Sequence, residues 1–323
     1  MDAAVAPSEA PGTAPALGRF ALPPALEGLR RLAARLGRGP VARRAVSLLR
    51  RIVWAGRPDP FDVEVWPGQW ARLYPRDNLS EKRAFIAPQF WDAEERAALA
   101  GAILRHLSEG RGPFVFVDAG ANAGLYSLAA RSVAGPDAVR ILAIEPEPET
   151  CARLRFNLGA GSDAPARVVE AALAGAPGTL HLTVAGVNRG EVRISDDCRD
   201  GVAVPARTLA EVVSTEGLPR IDALKIDIEG AEEPVLAAFF GAADRALWPA
   251  LVIIEAPRGA ETPALALLRE TGYAVHARTK LNAVLTAPAP ATVLGPGGGP
   301  GDGRDEAERT RQGTTGSDAA AKR

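Results

Sequence analysis

Acidic residues stand at five points where short apolar runs of this sequence end: Asp118, Glu145, Glu170, the pair Asp227 and Glu229, and Glu255. A carboxylate taken out of water needs a partner. Sheet stability does not call for such a row, whereas a ligand rich in hydroxyl and amino donors does. Around the first acid the chain reads Phe114-Val-Phe-Val-Asp-Ala-Gly-Ala-Asn-Ala-Gly124, and a helical pattern opens at Leu125. Gly120 and Gly124 bracket a tight turn there. Glycine lets a backbone approach a ligand closely, and a helix N-terminus offers N–H groups, so the turn is expected to receive a nucleotide.

Glu145 follows Gly120 by about 25 residues, directly after a strand. An acid roughly 20 residues beyond such a turn commonly takes ribose hydroxyls. The dinucleotide fingerprint Gly-x-Gly-x-x-Gly is absent, because Asn122 and Leu125 occupy the second and third glycine positions. An adenosine-bearing ligand other than NAD is expected. The second cluster is Leu224-Lys-Ile-Asp-Ile-Glu-Gly-Ala-Glu232. Residues two apart on a strand share a face, so Lys225, Asp227 and Glu229 should point together toward a cleft. Such a cluster serves either proton transfer or a structural ion pair that locks a strand–helix turn. Asp227, Glu229 and Glu255 could gather a hard divalent cation, but their spacing does not demand one, and no metal is expected. The histidines His106, His181 and His276 are isolated in sequence.

These residues need a frame. From Phe114 onward strands alternate with helices: strands at 114–117, 140–144, 167–170, 221–228 and 251–255, with helices between them. That alternation predicts an α/β fold with a mostly parallel sheet covered on both faces. Residues 1–24 are rich in Ala and Pro without periodicity and are expected to be disordered. Residues 25–112 form a helical extension or cap. It contains two basic amphipathic helices at 25–36 and 41–53, a short hairpin or loop at 66–74, and an Asp92-Ala-Glu-Glu95 sequence with the form of a capping box. Residues 113–290 are the ligand-binding domain, and 291–323, rich in Gly and polar residues, a disordered tail. Trp66, Trp70, Tyr74 and Trp91 concentrate aromatic mass in the extension and are expected chiefly in its core.

A formal net charge of −1 gives no general attraction to nucleic acid. No basic stripe crosses the ligand-binding region. No apolar run approaches the ~20 residues that span a bilayer, and no secretory signal opens the chain. Cys151 and Cys198 lie in no metal-ligand spacing and are expected as reduced thiols. A cytoplasmic protein with a small-molecule partner follows, and the N-terminal helices could join copies into a homo-oligomer.

The turn Asp118-x-Gly-x-Asn-x-Gly124 resembles motif I of the class I S-adenosylmethionine-dependent methyltransferases. The block Lys225-x-Asp-x-Glu-Gly-Ala-Glu232, with Ile144-Glu-Pro146 and Ile253-Ile-Glu255 in order, resembles the FkbM-type family within that class, and Asp77-Asn-Leu-Ser80 resembles its preceding segment. The resemblance spans about residues 60–286 and implies a Rossmann-like fold with an antiparallel last strand. It implies methyl transfer from S-adenosylmethionine, usually to a hydroxyl of a sugar, polyketide or similar metabolite. By family pattern Asp118, Gly120, Asn122, Gly124 and Glu145 would hold the cofactor, the glycines leaving room for its methionine part. Glu170 and Ala171 would border the adenine. Asp227 would stand nearest the methyl, with Glu229 or Lys225 as base. N-methylation of a small amine, or an inactive cofactor-binding partner subunit, are the alternatives.

Overall fold

In a computed structural model the described residues are 14–37, 39–160, 166–184, 192–195 and 201–288. The expected disordered tail at 291–323 and Cys198 lie outside them, as do residues 1–13. Residues 14–23 are tied down: Gly18 and Phe20 N–H groups donate to Asp62 Oδ2, and Arg72 Nη2 donates to the Ala16 carbonyl.

Helices α1 (Pro24–Arg35) and α2 (Pro40–Trp54) each begin on a proline, whose fixed φ and missing N–H suit a first helical position. Only one face of α1 is buried. Its Arg30 reaches the carbonyls of Phe85 and Glu64 and pairs with Glu27 at 2.7 Å. Strands β1 (Phe61–Trp66) and β2 (Gln69–Leu73) form an antiparallel hairpin around Pro67-Gly68. The anticipated hairpin thus starts five residues earlier than the aromatic spacing suggests, because Phe61, Val63 and Val65 alternate into the core. Helix α3 (Leu79–Ile86) is capped by the Asn78 side chain, and α4 (Ala93–Ser108) leads to the main sheet.

The main-sheet strands and helices then alternate: β3 (Phe114–Ala119), α5 (Leu125–Ala134), β4 (Val139–Ile144), α6 (Pro148–Gly159) and β5 (Arg167–Val169). After them come β6 (Ala172–Leu173), β7 (Gly178–Val184), β8 (Val192–Ser195), β9 (Val202–Arg207) and α7 (Leu209–Thr215). The chain finishes with β10 (Ala223–Ile226), α8 (Glu232–Ala242), β11 (Leu251–Glu255), α9 (Pro263–Glu270), β12 (Ala274–Arg278) and β13 (Asn282–Thr286). The sheet order is β12-β13-β11-β10-β3-β4-β5. All pairs are parallel except those of β13, which runs antiparallel to both neighbours. This is the Rossmann-like arrangement that the resemblance implies, with the antiparallel last strand in place.

Strand alternation divides the interior in two. Phe114, Phe116, Ile141 and Ile253 pack with α4, α5 and the N-terminal extension on one side. Val115, Val117, Leu142, Val252 and Ile254 pack with α7, α8 and α9 on the other. The extension is therefore continuous with one core layer. Among its aromatics, Trp66 and Trp91 are buried with ring centroids 5.8 Å apart, while Trp70 is exposed.

Between β5 and α7 the chain forms a second, four-stranded sheet of order β6-β9-β7-β8, which the strand–helix alternation does not announce. The short β6 and β8 carry too few residues for a pattern to register. The Asp92–Glu95 capping box does not form. Asp92 adopts a left-handed φ of 38° and makes no cap bond, while Glu95 accepts from Thr279 Oγ1 and Asn282 Nδ2. Two tertiary bonds to the β12–β13 turn outcompete one local one.

Candidate active site

The N–H groups of the turn after β3 are taken up by the end of β4 and by the turn itself. The N–H groups of Gly120 and Ala121 donate to the Ile144 carbonyl, that of Asn122 to Glu145 Oε2 at 2.9 Å, and that of Gly124 to the Ala121 carbonyl. The N–H of Ala123 donates to Asn122 Oδ1. The turn is thus not a nest of free donors. Its glycines answer to the protein. A Cβ on Gly120 would overlap the carbonyl oxygen of Asp227, and one on Gly124 would lie 2.8 Å from Leu154 Cδ1. Both have φ near the left-handed region, +71° and +85°, where only glycine is unstrained.

Beside this turn is a cavity of about 240 Å³ at the carboxyl ends of the parallel strands, where open α/β sheets bind ligands. Of the site residues expected from sequence, Gly120, Asn122, Glu145, Ala171, Lys225, Asp227 and Glu229 line it. Asp118, Gly124 and Glu170 do not. Asp118 lies fully buried behind the turn, where its Oδ2 accepts from the Ser127 N–H and Oγ and so fastens strand to helix. Glu170 turns outward to Arg155 at 2.7 Å, and its neighbour Ala171 faces the cavity. None of the three histidines lines it.

Glu145 directly follows β4 on one side of the turn. Its oxygens accept one backbone N–H each, from Asn122 and Glu147. Burial pushes its carboxyl up to about 7 against those bonds. On the other side, β10 brings Lys225, whose Nζ donates to the Gly120 carbonyl at 3.0 Å and lies 3.1 Å from Asp227 Oδ2. Burial alone would depress this amine, but Asp227 and then Asp118 more than offset it, so its pKa is raised. That shift favours the ammonium form of Lys225. The expected alternation holds for Lys225 and Asp227. Glu229 arrives differently, with a φ of 57° just before Gly230. Asp92, Asn122 and Glu229 are the non-glycine residues of positive φ among the described residues, and all three line this cavity. Backbone strain of that kind concentrates at functional sites.

Sequence reasoning missed the wall supplied by the extension: Asn78, Trp91 and Asp92. Asp92 accepts from Tyr126 Oη at 3.0 Å, and its carboxyl is raised by burial and by Glu95. A polar residue after a conspicuous tryptophan was the available signal, and the capping-box pattern masked it. Leu173 and Leu182 from the second sheet add an apolar wall. Carboxylate oxygens of Asp227, Glu232 and Glu255 lie within 4.8 Å of one another. Glu232 Oε1 is already engaged by the N–H groups of Ile228 and Gly230, and Asp227 by Lys225.

The donor set fits an adenosylsulfonium ligand: a carboxylate for a diol, an apolar wall for a base, and an excess of acids for a cation. Residues 118–274 match the family described as the methyltransferase FkbM domain. No curated protein matches the sequence. Among solved structures, the chain is similar to a precorrin-6y C5,15-methyltransferase from Geobacter metallireducens GS-15, at 18% identity and TM-score 0.37, over 60% of this chain and 87% of that one. A methyltransferase FkbM from Methylobacillus flagellatus KT gives 16% identity and TM-score 0.36, over 65% and 54%. Fibrillarin from Aeropyrum pernix, solved with natively bound S-adenosyl-L-methionine, gives 12% and 0.33, over 55% and 66%. Likenesses this distant carry neither substrate nor mechanism across.

Proposed function

Because residues 118–274 belong to the methyltransferase FkbM family, the chain is a methyltransferase, and we propose that it methylates a hydroxyl of a sugar, polyketide or other small metabolite from S-adenosylmethionine. The observation that carries this reading is a single cavity with Glu145 at one side of the Gly120–Gly124 turn and the Lys225–Asp227 pair at the other. In it, Glu145 holds the ribose hydroxyls, using lone pairs that the two backbone N–H groups leave over. Ala171 and Leu173 border the adenine, and Asn122 fixes the turn between them. Asp118 and Gly124 serve from behind, by holding the turn in shape.

When bound, S-adenosylmethionine supplies a methyl group on a sulfonium whose leaving group is a neutral thioether. The residues of this chain align the acceptor oxygen behind that methyl, and alignment alone supplies much of the barrier reduction. Asp227, oriented by Lys225, accepts the hydrogen bond of the acceptor hydroxyl. Glu229 takes the proton as the oxygen–carbon bond forms. Asp92 and Tyr126 close the acceptor side. No metal takes part in this scheme. The acid excess, with Asp92, Asp227, Glu229 and Glu255 around one lysine, also favours a second reading, N-methylation of a small amine bound as its cation.

Among the described residues no helix is long and apolar enough to cross a membrane. A homo-oligomer joined through α1 and α2 stays within the proposal, with Val41, Leu48 and Ile52 as the exposed surface it would use. Calorimetry with S-adenosylmethionine tests the core of the reading. Wild type should bind and Glu145→Ala should not, while absent binding in wild type or equal binding in the variant sinks it. Screening alcohols and amines for methyl uptake separates the two acceptor classes.

A further inference from the structure

A groove of about 710 Å³ lies beside the catalytic cavity and shares Leu79, Trp91 and Asp92 with it as a common wall. Five cationic side chains border it: Arg43 and Arg50 from α2, Lys82 and Arg83 from α3, and Lys280 from the turn between β12 and β13. Helical spacing puts Arg43, Val46 and Arg50 on one face of α2, opposite the exposed Val41, Leu48 and Ile52. Arg50 and Lys82 converge on the Trp54 ring, 5.5 and 5.6 Å from its centroid.

Cations gathered this closely repel one another unless an anion sits among them. Elsewhere in the extension Arg30, Arg72 and Arg76 each hold a carboxylate. Among the described residues none of the five groove cations has one within ion-pair distance. Of the three acids that share the groove, two are engaged elsewhere and the third is open to solvent. Glu95 accepts from Thr279 and Asn282, Asp92 accepts from Tyr126, and Glu94 is exposed in the first turn of α4. Among the described residues the groove thus offers cationic charge without a carboxylate partner, next to the place where an acceptor hydroxyl would enter.

Resting on the methyl-transfer reading above, we propose that this groove binds the phosphate of the acceptor. The acceptor is then a phosphorylated alcohol, a sugar phosphate or a nucleoside-diphosphate sugar, whose free hydroxyl enters the cavity past Trp91 and Asp92. Phosphate suits a cluster of separate cations because each can reach a different oxygen. All five groove cations lie outside the 118–274 segment that matches the family. Acceptor choice is therefore supplied by the extension and the last hairpin, and methyl transfer by the domain between them.

Titration of the full chain with inorganic pyrophosphate tests the groove directly. Wild type should bind it, and the exposed single variant Arg43→Gln and the double variant Arg50→Gln/Lys82→Gln should each weaken binding, the double by about tenfold or more. Added salt should weaken binding in wild type. Sugar 1-phosphates and nucleoside-diphosphate sugars should bind more tightly than the same free sugars, and the stronger of the two names the acceptor class. S-adenosylmethionine affinity should be unchanged in both variants, with circular dichroism reporting intact folding. Equal pyrophosphate binding by wild type and variants, or equal affinity for free and phosphorylated sugars, overturns the proposal. Failure of wild type to bind S-adenosylmethionine sinks the methyl-transfer reading and leaves the pyrophosphate result standing.

Discussion

Asn78 Nδ2 donates to Asn122 Oδ1 at 2.7 Å, joining the N-terminal extension to the glycine turn across 44 residues of sequence. The same Asn78 side chain caps α3 by accepting from the Glu81 N–H. One residue thus fixes both a helix start and the left-handed Asn122 whose N–H positions Glu145. Asn78→Ala is expected to lower stability by about 1 kcal/mol, the usual worth of a lost cap, and to weaken S-adenosylmethionine binding. Asn78→Asp should keep the cap, since its carboxylate still accepts, yet lose the bond to Asn122. Thermal melts and calorimetry on the two variants separate these effects. Unchanged cofactor affinity in both would show that the link does not matter to the site.

The Lys225–Asp227 pair gives a kinetic prediction. Asp227→Asn keeps the side-chain shape and is expected to retain cofactor affinity while turnover falls on the order of 10²-fold or more. Single-turnover methyl transfer measures it, and a near-normal rate refutes the assigned role. Lys225→Met should instead fail by stability. It leaves the Gly120 carbonyl without its donor and removes the charge that eases the burial of Asp118, a loss of about 1–3 kcal/mol, read from denaturant melts.

Stability should fall as pH rises through neutrality, against the habit of most carboxylates. Burial pushes Glu81 from 4.5 up to about 8, although the Tyr74 N–H and Arg153 pull it back. Glu145 rises to about 7 for the same first reason. Between 4.5 and these values the folded chain holds protons that the unfolded chain releases. Their contribution is therefore full below 4.5 and lost as pH climbs through 7 and 8. Glu81→Gln should raise stability at about pH 9, on the order of 1–3 kcal/mol, and change it little at about pH 5. An identical pH slope in variant and wild type would contradict this.

The two turn glycines should differ in their tolerance of alanine. At Gly120 the new methyl meets backbone, the Asp227 carbonyl, and at Gly124 it meets the end of the flexible Leu154 side chain. Gly120→Ala is expected to cost about 3 kcal/mol or more and Gly124→Ala about 1–2 kcal/mol. Equal losses in urea melts would mean that positive φ, common to both, decides the matter alone.

Chelation should leave turnover unchanged. Asp227, Glu232 and Glu255 come close enough for a cation, but Lys225 and two backbone N–H groups already engage the first two. Activity assayed with and without EDTA checks this. A loss restored by added Mg²⁺ would assign the trio to a metal.

Much of the frame was legible because its signals are local. The β3 run with its turn and the Lys225–Glu232 block are each contained in one short stretch, and Glu145 stands at a fixed distance from the turn. The antiparallel last strand followed from the family pattern once those were in hand. What stayed hidden depends on distant partners. Asp92 and Glu95 satisfy the spacing of a capping box, and only the approach of Thr279, Asn282 and Tyr126 takes them elsewhere. Nothing near Glu170 discloses that Arg155 draws it away from the cavity. The cationic groove is assembled from α2, α3 and a turn almost 200 residues later, so no window of sequence contains it.

Gly120 must be bare because Asp227 leans on it, whether or not a ligand is bound. Two turns from neighbouring strands thus interlock through one missing methyl, and neither can drift alone. A descendant of this chain that had ceased to methylate anything would still be obliged to keep that glycine to fold. Its retention in a relative is accordingly a mark of ancestry and of packing, and offers no assurance that the relative is alive as an enzyme. Glu145, which burial makes a burden to the fold at neutral pH, is the residue that a silent relative would be free to lose, and the one to inspect.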